Sequence, residues 1–336
     1  LVSLQTQPEN NLLLGFFINP VSGGGMGLFV YNHLTEIMFS LGFQKEQWCA
    51  FLSQEKDSES ILGELFQRCI RVIAVGGDGT LGTVLSFAAH NHTRVEVGLL
   101  PLGTGNDLAR AMGIFSQFHD RGVMGCLNRL IRAQTSPFTI WEAKSETTVQ
   151  PFSAYISIGC DAAILHDFDL RRRKGFFFSH PLINKAYYLK YALKHLGTSF
   201  PGTCIEIDNP AFSSTLKNSR FRSLIVSNIC SYGGGTQLYN SMQLPQKHLH
   251  IFIAYTLTDL LRILILPRLL PEFILKRITY PHYFKATQLN LKIKKVPWQM
   301  DGEDIGSPEF TSLSLAPKGL VRLVDLRSGP FRLFNR

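Results

Sequence analysis

Three times before residue 108 an apolar run ends in a knot of glycines and gives way to a segment with helical spacing. "NLLLGFFIN" leads into "NPVSGGGMG", Asn19 to Gly27. "RVIAV" leads into Gly76–Thr80, and "VEVGLLPLG" into the turn that ends at Asp107. Runs that are apolar throughout, rather than alternating, mark strands buried on both faces. Strands separated by helices build a parallel sheet covered by helices, and ligands bind beyond the carboxyl ends of its strands. The glycine knots at 23–25, 76–79 and 103–105 all follow expected strands, so they should converge on one crevice.

The rest of the chain reads differently. "FTIWEA", "SAYISIG", "GTCIEID", "FRSLIVSN", "HLHIFIAYT", "QLNLKIKK" and "VRLVDLR" have strand character, and "PLINKAYYLKYALKH" is the clear helix. That pattern predicts a mostly antiparallel domain, with a β-sandwich as the default architecture. The expected division is an α/β domain over 11–135, with a parallel sheet covered on both faces, and a β-sandwich over 136–317. A chain of 336 residues with 45% hydrophobic content has material for two cores.

Other features bound the function. The net charge of +9 suits a partner carrying phosphate, whether nucleic acid, anionic membrane or nucleotide. The six cysteines contain no C-x-x-C pair, which removes a zinc finger and leaves free thiols of a reducing compartment as the reading. No histidine pair has metalloprotease spacing. The first eleven residues lack a signal peptide's basic start and apolar core. "LLRILILPRLLPEFILKR", Leu260 to Arg277, is broken by Arg262, Pro267, Arg268, Pro271 and Glu272. A spanning helix needs ~20 mostly uncharged residues, so this segment reads as interfacial or buried. "RRRK", Arg171 to Lys174, precedes "GFFF" and reads as a solvated basic loop or a membrane-interface anchor.

The glycine turns carry groups suited to phosphate. Ser22 and Thr104 offer hydroxyls and Asn106 an amide. Asp107 stands where helix capping alone would account for it. Asp78 is the anomaly. No lysine follows these glycines as in a Walker loop, and an acid occupies the centre of the knot.

In this order and spacing, N-P-x-S-G, G-G-D-G-T and P-L-G-T-G-N-D resemble the diacylglycerol kinase catalytic domain. "YISIGCDAAI", "NICSYGGGTQLY" and "PWQMDGE" are similar to the accessory-domain signatures of that family, in their eukaryotic-type form. The resemblance implies a two-domain lipid kinase, a doubly wound α/β nucleotide-binding domain to which residues 318–334 return and a β-sandwich, with its active site in the cleft between the domains. It would use ATP and Mg²⁺ to phosphorylate the primary hydroxyl of diacylglycerol, giving phosphatidic acid. Its expected setting is cytoplasmic, peripheral on the cytosolic face of anionic membranes, with no nucleic-acid partner. The resemblance implies that Asn19, Pro20, Ser22, Gly23, Gly24, Gly76, Gly77, Gly79, Thr80, Gly103, Thr104, Gly105 and Asn106 cradle the nucleotide phosphates. The acidic set is Asp78, Asp107, Asp301 and Glu303. Asp301 is the first choice for the base that takes the acceptor's proton. Asp78 is its rival, and Asp78 and Asp107 are the candidates for Mg²⁺.

Within the same class, a sphingoid-base or ceramide kinase needs the same site with a different lipid wall, and an NAD kinase fits less well. A catalytically silent lipid-binding homologue should have lost Asp78, Thr80 or the D-G-E acids, and all are present. Two departures stand out. Where many members have an acidic D-G-x-L turn, this chain has "LPQKHLH", with Lys247 and His248, which puts an ancillary metal site in doubt. "FTIWEA" also lacks the family's aspartate ahead of Trp141.

Overall fold

The computed structural model describes residues 12–91, 94–173, 181–208, 219–239, 242–264, 266–269 and 282–327. Lys174, the aromatic run at 176–178 and residues 270–277 therefore lie outside the described residues. The chain divides into two units. The first takes Leu1–Gly103, Met112–Pro137 and Val321–Arg336, and the second Thr104–Ala111 and Phe138–Leu320.

The first unit alternates strand and helix: β1 (Leu12–Ile18), α1 (Ser22–Ser40), β2 (Trp48–Leu52), α2 (Ser58–Arg68), β3 (Cys69–Gly76), α3 (Asp78–His90) and β4 (Glu96–Pro101). After α4 (Asp107–Ala111), which belongs to the second unit, α5 (Ile114–Arg132) follows in the first. The strands are parallel in the order β2-β1-β3-β4. Phe16, Ile18, Val72, Ile73, Val75 and Leu99 are fully buried, as continuous apolar runs require. α2 shows how a helix is specified locally. The Asp57 carboxylate accepts from Glu59 N and Ser60 N at 2.9 and 3.1 Å, and Ile61, Leu62 and Leu65 form its buried stripe. The chain runs from β1 outward to β2, then returns across β1 to β3. The topological switch therefore lies between the carboxyl ends of β1 and β3.

α5 was not visible in the sequence. Gly122, with φ 64° and ψ −167°, interrupts its helical pattern. Buried Arg71 of β3 secures its far end. Its guanidinium pairs with Glu96 of β4 at 2.5 Å and donates to the carbonyls of Leu130, Ile131 and Ala133. These are carbonyls that a helix C-terminus leaves without intrahelical partners. Removing one member of such a buried charge pair costs about 3–5 kcal/mol.

From Phe138 the second unit continues with the rest of β5 (Thr135–Lys144), β6 (Val149–Phe152), β7 (Tyr155–Gly159), α6 (Cys160–Arg173) and α7 (Pro181–His195). Then come β8 (Phe200–Pro201), β9 (Ile205–Ile207), β10 (Arg220–Phe221), β11 (Ser223–Ser227), β12 (Ser231–Tyr232) and β13 (Thr236–Gln237). β14 (Leu249–Ala254), α8 (Leu257–Leu264) and α9 (Leu266–Leu269) precede β15 (Tyr283–Ala286), β16 (Leu289–Ile293), β17 (Trp298–Met300), β18 (Glu303–Gly306) and β19 (Thr311–Val324). One sheet is antiparallel throughout in the order β15-β14-β11-β7-β17-β18. Facing it are the antiparallel strands β19-β16-β9, with the hairpin of β5 and β6. Alternate residues of both layers, among them Ile156, Ile158, Leu224 and Val226 on one and Leu289, Leu291, Leu313 and Leu315 on the other, share one core. That is a sandwich, as the strand pattern predicted.

The end of β19 belongs to the first unit. Arg322 and Leu323 pair in parallel with Glu96 and Val97 of β4, and Leu326 N donates to Met112 O at 3.0 Å. α8, from the segment read as interfacial or buried, buries Leu260 and Ile263 and leaves Leu261 and Arg262 exposed. Among the described residues no helix is long and apolar enough to cross a membrane. All six cysteines are free thiols, and burial pushes those of Cys126 and Cys160 up to about 12.

Candidate active site

In the first unit three turns meet beyond the ends of β1, β3 and β4. Asn19 N donates to Val75 O at 2.9 Å, tying the first turn to β3. The Asn19 amide oxygen accepts from Val21 N at 3.2 Å, and its nitrogen reaches the Thr80 hydroxyl at 3.4 Å. Pro20 O accepts from Leu28 N at 3.1 Å, and Ser22 N donates to Asn19 O at 3.2 Å. Gly23, Gly24 and Gly25 have φ of 63°, 67° and 97°, so the chain makes a left-handed turn there before α1 becomes regular. Only glycine adopts such a run without strain.

The second and third turns are fastened backbone to backbone. Gly76 O accepts from Leu102 N at 2.7 Å and from Gly103 N at 3.2 Å. A Cβ at Gly76 would lie 2.3 Å from the Thr80 hydroxyl, and one at Gly77 would lie 3.0 Å from Gly103 Cα. A Cβ at Gly23 would meet Leu102 O at the same 3.0 Å. Glycine is thus required where the three turns touch. Gly77 sits ahead of α3 in an extended conformation and offers no side-chain cap. The first N–H groups of α3 therefore point outward as anion donors. Half-buried Asp78 is the first residue of α3, followed by exposed Gly79 and half-buried Thr80. The helix N-terminus favours its negative charge.

The remaining residues of the third turn, Thr104, Gly105, Asn106 and Asp107, belong to the second unit. Asn106 is buried with φ 52°, a left-handed value that asparagine tolerates better than most residues. Arg110 Nε donates to Gly105 O at 3.1 Å. The Asp107 carboxylate accepts from Tyr155 OH at 3.0 Å, Ser231 Oγ at 2.6 Å, Gly234 N at 2.9 Å and Gly235 N at 3.1 Å. It thus anchors the "SYGGG" segment to the "GTGND" turn. Oxygens engaged in this way are poor ligands for an ion.

Asp301 is engaged as fully. Its Oδ2 accepts from Ser153 N and Oγ at 2.7 and 3.0 Å, and its Oδ1 from Ala154 N and Tyr155 N at 2.8 and 2.9 Å. Burial pushes its carboxyl above the ordinary aspartate range, while these donors pull the other way. Asp301 is left-handed at φ 50°, and Gly302 follows at φ 84°. Asp304 closes the turn. Its Oδ2 lies 2.6 Å from His166 Nδ1 of α6, and its Oδ1 accepts from Gly306 N at 3.0 Å. Glu303, between these fixed points, is exposed.

The sequence reading passed over several partners that lie inside its own motifs. Tyr155 stands in "YISIG", Ser231 in "SYGGG" and Asp161 in "GCD". Buried Asp161 accepts from the hydroxyls of Ser223 and Tyr232, and burial together with this carboxylate pushes the Tyr232 phenol well above its usual range. Polar residues flanked by strand-forming ones were the available signal. Ser153 lies just outside these motifs and gave none.

The cradle of the first unit fits a polyphosphate, since left-handed glycines and an uncapped helix start present backbone N–H groups without side chains in front of them. Among the described residues no group of three or more His, Cys, Asp or Glu side chains is gathered to hold a metal. Mg²⁺ does not require one. It keeps several waters and takes one or two carboxylates with substrate phosphates, which Asp78 beside the cradle satisfies.

The sequence profile of the diacylglycerol kinase catalytic domain matches residues 14–143, and that of the diacylglycerol kinase accessory domain matches residues 151–304. The eye-specific diacylglycerol kinase of Drosophila melanogaster is 29% identical over 255 residues, covering 67% of this chain and 17% of that protein. Diacylglycerol kinase 2 of Arabidopsis thaliana is 28% identical over 261 residues, covering 71% of this chain and 36% of that protein. The matched part is thus well under half of either relative. Among solved structures, a putative diacylglycerol kinase from Bacillus anthracis str. Sterne superposes with a TM-score of 0.58 at 16% identity, covering 94% of this chain and 97% of that one. At that identity the likeness speaks for the fold.

Proposed function

The chain belongs to the diacylglycerol kinase family, and on that footing we propose that it passes the γ-phosphoryl group of ATP to the primary hydroxyl of diacylglycerol, giving phosphatidic acid. The observation that carries the proposal is the meeting of three glycine turns at the switch between β1 and β3, with Asp78 opening α3.

The acceptor oxygen forms a bond to Pγ as its proton leaves, and the bond from Pγ to the bridging oxygen of ADP breaks. The chain's part is to position and to neutralise. Backbone N–H groups of the turns at Gly23–Gly25 and Gly77–Thr80 hold phosphate oxygens, with the Ser22 and Thr80 hydroxyls beside them. Asp78 would hold Mg²⁺, which when bound would offset charge developing on the transferred group. The proton goes to a carboxylate of the remaining acidic set, either Asp78, the rival named above, or Glu303. Asp301 was the first choice for that task, but each of its oxygens already accepts from two donors, so we assign it to holding the turn that presents Glu303. Asp107 receives the same kind of assignment, as the anchor of the "SYGGG" segment, and Mg²⁺ is left to Asp78. A peripheral seat on the cytosolic face of a membrane is the setting in which such an enzyme meets its insoluble substrate.

The test is an assay with radiolabelled ATP and Mg²⁺ against diacylglycerol, monoacylglycerol, sphingosine, ceramide and NAD. Label in diacylglycerol ahead of the others is the expected result. Preferential labelling of ceramide or sphingosine would replace the proposed acceptor, and no labelling at all would remove the activity.

A further inference from the structure

α7 holds leucines out in water. Leu189 and Leu193 are 60% and 63% exposed, and Leu196, just past the helix end, is 39% exposed. Steps of four and three residues put them on one stripe. On a typical surface helix such a stripe faces the core. Here aromatic rings flank it: Tyr188, itself 42% exposed, meets Phe168 of α6 at 5.9 Å, and half-buried Tyr187 meets Tyr191 at 6.4 Å. Asp167 of α6 fixes the orientation, accepting from Lys194 at 2.6 Å and bonding His195 Nε2 at 2.8 Å. α6 adds Leu170, which is 44% exposed, and exposed Arg171, whose guanidinium lies over the Tyr187 ring at 5.5 Å. Elsewhere, Val21, Met26, Leu28 and Phe29 are exposed together around the first turns of α1, next to the glycine turn of the cradle, while others such as Ile70 stand singly, which is ordinary. A periodic stripe is not.

The stripe has a basic border. Lys190 follows Leu189, Lys194 follows Leu193 and Arg171 follows Leu170. Asp167, the acid beside them, is engaged by Lys194 and His195. Apolar side chains bordered by cations are the arrangement that seats at a lipid headgroup boundary.

We infer that this face of the α6 and α7 pair, led by Leu189, Leu193 and Leu196, is where the protein seats on an anionic bilayer. The leucines enter the acyl boundary while Lys190 and Arg171 meet headgroup phosphates. The choice of a bilayer over a protein partner rests on the lipid-kinase reading and on the sign of the charge, which is +9 for the whole chain. The surface includes Arg171, the first residue of "RRRK", and otherwise differs from the segments to which the sequence pointed.

The test uses the full chain on vesicles of phosphatidylcholine alone or with 30% phosphatidylserine. It compares wild type with the double variant Leu189→Ser, Leu193→Ser and with Lys190→Glu. Wild type should sediment with the anionic vesicles. The double leucine variant should lose about a hundredfold in partitioning, as removal of two inserting side chains requires. Lys190→Glu should lose about fivefold on anionic vesicles and nothing on neutral ones, and added salt should reproduce its effect. Circular dichroism checks the helix. In parallel, phosphorylation of a short-chain diacylglycerol held below its micelle concentration should be the same in all three proteins. Absence of that turnover in wild type would count against the kinase reading alone, because vesicle partitioning tests the surface by itself. Unchanged partitioning of the leucine variant would overturn the inference. So would conversion of a wild-type dimer to monomer in that variant with vesicle binding intact, which would make the stripe a contact between copies.

Discussion

Asp78 and Asp301 stand in almost the same words, G-D-G and M-D-G, yet the two units surround them with opposite things. In the first unit Asp78 opens a helix that no side chain caps, among glycines stripped of side chains. In the second, Asp301 accepts from Ser153, Ala154 and Tyr155, and Asp107 from Tyr155, Ser231, Gly234 and Gly235. A carboxylate whose lone pairs are all engaged holds backbone in place. Asp78 stands instead at the start of α3, beside the turns to which we assign the phosphates. The contrast teaches that near-identical spellings do not settle the task of an acid: the fold around it does.

The comparison can be broken most directly at Asp78. Asp78→Asn should lower kcat by about 10³-fold, near 4 kcal/mol of barrier, with urea stability within about 0.5 kcal/mol of wild type. Asp301→Ala should do the reverse. It strands the donors of Ser153, Ala154 and Tyr155 and should cost about 3 kcal/mol in urea unfolding. A stable but inactive Asp301→Ala would return the base to Asp301. Glu303→Gln sharpens the contrast, with an expected loss of about 10²-fold in kcat and no change in unfolding midpoint. Tyr155→Phe removes one of the Asp107 donors and should cost about 1 kcal/mol in the same unfolding measurement.

The smallest effect is in pH. Burial places the Asp301 carboxyl above its ordinary value, so its contribution to stability is full below that value and fades as pH rises through the folded pKa. Asp325 of the first unit runs the other way. Burial would raise its carboxyl, but Arg327 and Ser136 overcome that and hold it below the ordinary range. Its contribution is present above the ordinary value of 3.8 and fades as pH falls through the lowered one. On acidification, the stability gap between wild type and Asp325→Asn should narrow, while the gap to Asp301→Asn should widen. Urea titrations at neutral and acidic pH read both.

The α/β rhythm of the first unit was legible because strands buried on both faces are apolar throughout, as Val72 to Val75 are. The sandwich was legible through alternation, as in Leu289, Leu291 and Ile293. α5 was not, because Gly122 breaks its period and Arg71, from another strand, closes its end. α6 was not either. Buried Ala162, Ala163 and Ile164 crowd its start, so no polar face marks it as a helix. At the site, the glycine turns declared themselves because close approach leaves no room for a side chain. The engagement of Asp301 did not, because its donors are backbone groups of residues 153–155, and backbone donors have no letter in a sequence.

The pairing of Arg322 and Leu323 with β4 has a consequence for synthesis. The strand that completes the first sheet leaves the ribosome only after all of the second unit has been made. Until then β4 has an open edge, the condition under which nascent chains pair wrongly or recruit chaperones. Contacts this distant in sequence also slow folding. A fragment ending before residue 321 should therefore expose that edge permanently, so excising the first unit as a continuous N-terminal piece should yield an aggregating protein rather than a domain.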